Sequence, residues 1–104
     1  MKLEKIVDSR AKVIDTGSVQ LSPHYPGETS YATFKIANGE EWTWYSDKAA
    51  TLDEGMTVLL GAWGKRETMS LRRVHVQYEG RYGMSKTIGL KGGMDRSLVG
   101  ELFG

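Results

Sequence analysis

The chain has no cysteine among its 104 residues, and only two prolines and two histidines. Without cysteine there is no disulfide scaffold, no thiolate zinc site and no cysteine nucleophile. His24 and His75 alone are too few for a histidine-rich metal centre, so no metal and no cofactor are expected. Long apolar runs are missing as well. The longest is Val58-Leu59-Leu60, far short of the ~20 residues that span a bilayer as a helix, so no membrane partner is expected. The first ten residues, MKLEKIVDSR, carry charges where an export signal would carry its apolar stretch. The expected compartment is therefore the cytoplasm, or the host cytoplasm if the chain is phage-encoded. Catalytic signatures are absent too: there is no Walker loop, no GxSxG, no HExxH and no paired-histidine spacing. Gly89-Leu90-Lys91-Gly92-Gly93 lacks the Gly-Lys-Ser/Thr ending of a phosphate-cradling loop. These absences favour binding over catalysis, and the chain is not expected to be an enzyme.

What is present is one domain's worth of chain, close to neutral, with a net charge of +1 and an aromatic set that includes three tryptophans. Charge is uneven along the sequence. Between 63 and 91, Lys65, Arg66, Arg72, Arg73, Arg81, Lys86 and Lys91 face only Glu67 and Glu79. Such a stretch on a near-neutral domain either attracts an anionic ligand or is simply a solvated face.

Period-2 alternation dominates, so the body is expected to be all-β. Residues 3–20 form one long or bent strand, with bends expected at Ser9-Arg10 and Asp15-Thr16-Gly17. SPHYPGETS at 22–30 is a loop. In 31–37, Ala32, Phe34 and Ile36 alternate with Tyr31, Thr33 and Lys35. Asn38-Gly39 then signals a type I′ hairpin, and 40–45 is the return strand, with Trp42 and Trp44 on one face. Residues 46–55 suit a single helical turn, capped by Ser46 or Asp47 and ended by Gly55. Residues 56–63 are a fourth strand, in which Gly61 would mark a bulge or a close approach. After the charged turn 64–68, residues 69–78 are a fifth. From 79 onward the glycines suggest a mobile or loosely docked arm. Its end, MDRSLVGELFG, places Leu98, Val99, Leu102 and Phe103 as a stripe fit for a short amphipathic helix. Residues 1–80 are thus expected to be the domain and 81–104 the arm.

Five strands with a short connector between the third and fourth resemble the OB-fold, a five-stranded Greek-key barrel. Leu52 to Trp63 looks like the approach to the fourth strand in such domains, with an acidic turn and a glycine before the β-run. Lys65-Arg66-Glu67-Thr68-Met69-Ser70-Leu71 resembles the fourth-to-fifth strand loop of single-stranded DNA-binding proteins. Within that superfamily the chain is similar to small replication-type proteins, such as the bacterial primosomal replication protein or phage-encoded single-strand binders. Its neutral-to-basic end with an apolar tip differs from the acidic tail of the housekeeping bacterial proteins and leaves a phage or accessory form open. The resemblance implies non-sequence-specific binding of single-stranded DNA or RNA in replication or recombination, by a homo-oligomer.

Single-strand binders stack bases on aromatic rings and hold phosphates with cations. The OB resemblance puts the binding face on strands two and three and on the adjacent loops. Candidate contacts are therefore Tyr31, Lys35, Trp42, Trp44, Trp63, Lys65, Arg66 and Arg73. The orientation of Trp42 and Trp44 is the open choice. Two indoles inside a small barrel are tight, which favours an outward pair forming a stacking platform. The alternative puts one in the core and the other at a barrel end or an oligomer contact. Trp63 beside Lys65 and Arg66 is a second stacking candidate, or else a plug at the barrel bottom. The competing function is a protein–protein adaptor or a structural component of a phage or other assembly. In that reading the tryptophans anchor an interface, and Leu98, Val99, Leu102 and Phe103 bind the partner.

Overall fold

The computed structural model describes residues 3–22, 26–79 and 85–92. It is an all-β chain with strands β1 (Glu4–Gln20), β2 (Glu28–Lys35), β3 (Glu41–Tyr45), β4 (Thr57–Lys65), β5 (Ser70–Glu79) and β6 (Ser85–Gly92), and a 3-10 turn at Asp47–Thr51. The sheet runs β3-β2-β1-β4-β5-β6. In addition β3 pairs in parallel with β5, through Thr43↔Ser70 and Trp44↔Leu71. No described helix is long and apolar enough to cross a membrane.

β1 organises the molecule. Its first half pairs with β4, from Glu4↔Gly64 to Lys12↔Thr57. Its second half pairs with β2, from Lys12↔Lys35 to Gln20↔Glu28. The register shifts between Lys5 and Val7 and between Val13 and Asp15. Neither coincides with the bend expected at Ser9-Arg10, and the second lies just before the one expected at Asp15. An extra residue at such a point bends the strand and increases its twist.

The inward set forms one cluster. Val7, Ala11 and Val13 on β1 meet Ala32 and Phe34, Trp42 and Trp44, Val58, Leu60 and Ala62, and Leu71, Val74 and Val76. Both indoles are wholly buried, which overturns the outward platform expected for Trp42 and Trp44. Cross-strand partners share a face, and the pairs are Phe34↔Trp42 and Ala32↔Trp44. With Phe34 and Ala32 inside, the indoles must follow. Space for them comes from small neighbours. Ala32 opposite Trp44 is one, and Gly64 is another, since a Cβ there would sit 3.0 Å from Trp42 Cζ3 and 2.6 Å from the Ser70 carbonyl oxygen. Gly64, rather than Gly61, is thus the close approach in β4.

The β2–β3 hairpin also differs from expectation. Gly39 N–H donates to Ile36 O at 2.9 Å, and Gly39 alone in the loop has a positive φ, of 90°. This is a three-residue loop, a turn over Ala37-Asn38 followed by a left-handed glycine, and not the two-residue type I′ turn. The connector forms as expected: Ser46 caps the 3-10 turn by accepting from Lys48 N–H, and Gly55 has a φ of 95°. Residues 85–92, read from their glycines as part of a mobile arm, instead pair with β5 from Arg73↔Gly92 to Glu79↔Ser85.

Candidate functional site

The residues expected to form one binding surface are distributed over three places. The first is the core, which holds Trp42 and Trp44. Trp42 Nε1 donates to Glu40 Oε1 at 3.3 Å, while Trp44 Nε1 is buried with no hydrogen-bond partner among the described residues. Neither ring is available for stacking on a base.

Arg66, expected to hold a phosphate, closes one end of that core. Its Nε donates to Glu4 Oε1 at 2.6 Å and its Nη1 to Glu40 Oε2 at 2.7 Å. Its guanidinium carbon lies 5.3 Å from the Trp42 ring centroid. The Glu40 carboxyl is held below its ordinary value by the hydrogen bond from Asn38 first, then by that from Arg66 and that from Trp42. The two carboxylates in turn raise the Arg66 pKa. The two carboxylates engage Nε and Nη1 and offset the positive charge that a phosphate would meet.

The second place is the outer face of β1, β4 and β5. Outward residues alternate with the core set on all three strands. Register aligns them in rows: Lys5, Trp63 and Arg73 in one, Asp8, Gly61 and His75 in the next, then Arg10, Leu59 and Gln77. Lys12 and Thr57 complete the face. Lys5 Nζ lies 5.4 Å from the Trp63 ring centroid and 3.1 Å from Asp8 Oδ2. Arg10, Lys12, Arg73 and His75 are exposed, Trp63 is half-buried, and Leu59 is 49% exposed. Lysine and arginine dominate this face, and Asp8 is the carboxylate among these rows. The half-buried Lys65 continues the Trp63 side of β4 into the turn.

The third place is the outer face of β1, β2 and β3. Here the rows are Gly17, Tyr31 and Tyr45, then Asp15, Thr33 and Thr43. Lys35 is exposed opposite Glu41. The face forms a cleft of about 390 Å³ whose other walls include Met69 and Thr68 of the β4–β5 turn. Hydroxyls and carboxylates dominate it.

Of the expected contacts, then, the structure brings Trp63 and Arg73 together, with Lys65 at the end of the same strand. It separates them from Tyr31 and Lys35, buries Trp42 and Trp44 in the core, and pairs Arg66 with two carboxylates. The sequence reading missed Lys5, Arg10 and Lys12. Their signal was there, since Asp8, Arg10 and Lys12 alternate with Val7, Ala11 and Val13. Leu98, Val99, Leu102 and Phe103 lie outside the described residues. Among the described residues no group of three or more His, Asp or Glu side chains could hold a metal ion. Compared with protein-family models, with curated proteins and with solved structures, the chain finds no match.

Proposed function

We propose that the chain is a five-stranded OB-type Greek-key barrel, extended by β6, that binds single-stranded nucleic acid on the outer face of β1, β4 and β5. The barrel reading is supported by the strand order, by the short β3–β5 parallel pairing, which joins the two ends of the five-strand set, and by the 3-10 turn between β3 and β4. The binding reading rests on one observation, the row in which Trp63 lies between Lys5 and Arg73 with Arg10 and Lys12 on the same face. An aromatic ring between cations meets both needs of a single strand. The ring stacks on a base, at ~1–3 kcal/mol per base, and the cations take the flanking phosphates. Backbone contacts of this kind carry no sequence information, so binding is sequence-tolerant and falls steeply with salt.

Tryptophan fluorescence tests this directly, because Trp63 is the one tryptophan outside the core. Titration with a ~30-nucleotide single strand at low salt should give saturable quenching that weakens as salt rises, with a duplex much less effective. In Trp63→Phe the quenching should vanish while the emission of Trp42 and Trp44 persists. No quenching at low salt would sink the reading.

A further inference from the structure

The cleft on the outer face of β1, β2 and β3 has the wrong chemistry for a phosphate backbone and the right chemistry for a cation. Neither lysine nor arginine lines it, whereas Asp15 and Glu41 do, both exposed. Between them lie Thr33 and Thr43, whose hydroxyls share a hydrogen bond of 2.9 Å. The half-buried Tyr31 supplies the accessible aromatic wall, with the buried Tyr45 behind it, ring centroids 6.4 Å apart and planes tilted by 49°.

This wall is held in place. Gly17 lies opposite Tyr31 in the β1–β2 register. A Cβ at Gly17 would come within 2.9 Å of Tyr31 Cε2, so the ring rests directly against the β1 backbone. The Tyr31 hydroxyl donates to Asp15 Oδ2 at 3.1 Å, which fixes ring and carboxylate relative to one another. On the far wall, Met69 has a φ of 52°, a left-handed conformation that is rare for a non-glycine residue. Its carbonyl accepts the Thr43 N–H at 3.1 Å, so the strained residue ties the β4–β5 turn to β3.

We propose that this cleft binds an arginine side chain presented by a basic segment of a partner protein. A guanidinium is planar and stacks on an aromatic face. It also donates through several N–H groups at once, and a carboxylate such as Asp15 has acceptor sites beyond the one Tyr31 uses. Charge complementarity decides the occupant: Asp15 and Glu41 line the cleft while Lys35, opposite Glu41, stands outside the lining, so the cleft repels a phosphate and attracts a cation. This site is independent of the nucleic-acid face, with which it shares no side chain.

The test is calorimetric titration of the full chain with a capped Gly-Ser-Arg-Ser-Gly peptide, alongside the same peptide carrying citrulline, which keeps the planar shape and removes the charge. The arginine peptide should bind at a single site and the citrulline peptide at least about tenfold more weakly. Asp15→Asn and Glu41→Gln are isosteric and should keep the wild-type melting temperature, and each should weaken the arginine peptide about tenfold. Trp63→Ala should leave peptide binding unchanged, which separates this site from the nucleic-acid face. Equal binding of the two peptides, absence of binding, or sensitivity to Trp63→Ala with indifference to Asp15→Asn and Glu41→Gln would each overturn the proposal.

Discussion

The two outer faces are built from the same strand and differ in almost everything else. β1 contributes Lys5, Arg10 and Lys12 to one and Asp15, Gly17 and Val19 to the other. The first face is studded with cations around Trp63. The second is a cleft of tyrosines, threonines and carboxylates. The change comes near Lys12, where β1 leaves β4 for β2, and the register shift between Val13 and Asp15 follows at once. One bent strand thus allows a small domain to present two chemistries without a second domain. The core beneath is common to both: Phe34, Trp42 and Trp44 lie under the cleft, and Val58, Leu60 and Ala62 under the cationic face.

The harshest way to break the comparison is to remove that shared support. Trp44→Ala should cost about 3–5 kcal/mol, as large aromatic truncations in a core do, and chemical denaturation would read it as loss of both faces together. Next comes a contrast between two glycines of β4. Gly64→Ala drives a methyl to within 2.6 Å of the Ser70 carbonyl oxygen, and overpacking of this kind costs roughly 1–3 kcal/mol. Gly61→Ala finds only ordinary contacts, at 3.6 Å from Asp8 Oδ1, and should shift the melting temperature little. A third substitution separates the faces. Trp63→Ala should lower single-strand affinity roughly 5- to 150-fold, the equivalent of ~1–3 kcal/mol, with the circular-dichroism melt close to wild type.

The smallest effect concerns the clamp at the end of the core. Glu40 titrates below the ordinary value of 4.5 in the folded chain, through Asn38, Arg66 and Trp42. A carboxylate with a depressed folded pKa contributes stability above its unfolded pKa and loses it as pH falls through the folded one. Wild type should therefore lose stability on acidification below about pH 4.5. In Arg66→Ala that slope should become shallower, while Asn38 and Trp42 still contribute to it. Melts between pH 3 and pH 7 would show both trends (on the order of a few degrees at most for an exposed pair). An unchanged acid slope in Arg66→Ala would mean that the clamp contributes nothing.

Much of this architecture is written in alternation. Val7, Ala11 and Val13 opposite Asp8, Arg10 and Lys12 mark β1, and Ala32, Phe34 and Ile36 mark the inner face of β2. Ser46 caps the 3-10 turn, and Gly55 takes the positive φ of the turn that leads into β4. Two features were less legible. The side taken by Trp42 and Trp44 depends on which residues stand across from them. Indole volume argues for the outside, and only the pairing with Ala32 and the nearness of Gly64 show that there is room within. β6 was hidden because Gly89 and Gly92 depress strand propensity, whereas the open edge of β5 gives this segment hydrogen-bond partners that propensity does not count. The cationic face was legible only in part, through the alternation of Arg10 and Lys12 with the core residues of β1. Lys5, Trp63 and Arg73 are far apart in sequence and meet only through the registers of β1 with β4 and of β4 with β5.

The divided pairing of β1 also has a temporal side. Its second half finds β2 within a local hairpin, but its first half waits for Thr57–Lys65. During synthesis the strand's second half can therefore form while its first half remains an unpaired edge, and it stays so until β4 has left the ribosome. Non-local pairings of this sort slow the folding of small β domains to the order of milliseconds to seconds. Lys5, Arg10 and Lys12 of that first half stand along an edge that is open in this interval, and charges on an open edge discourage a nascent strand from pairing with another chain.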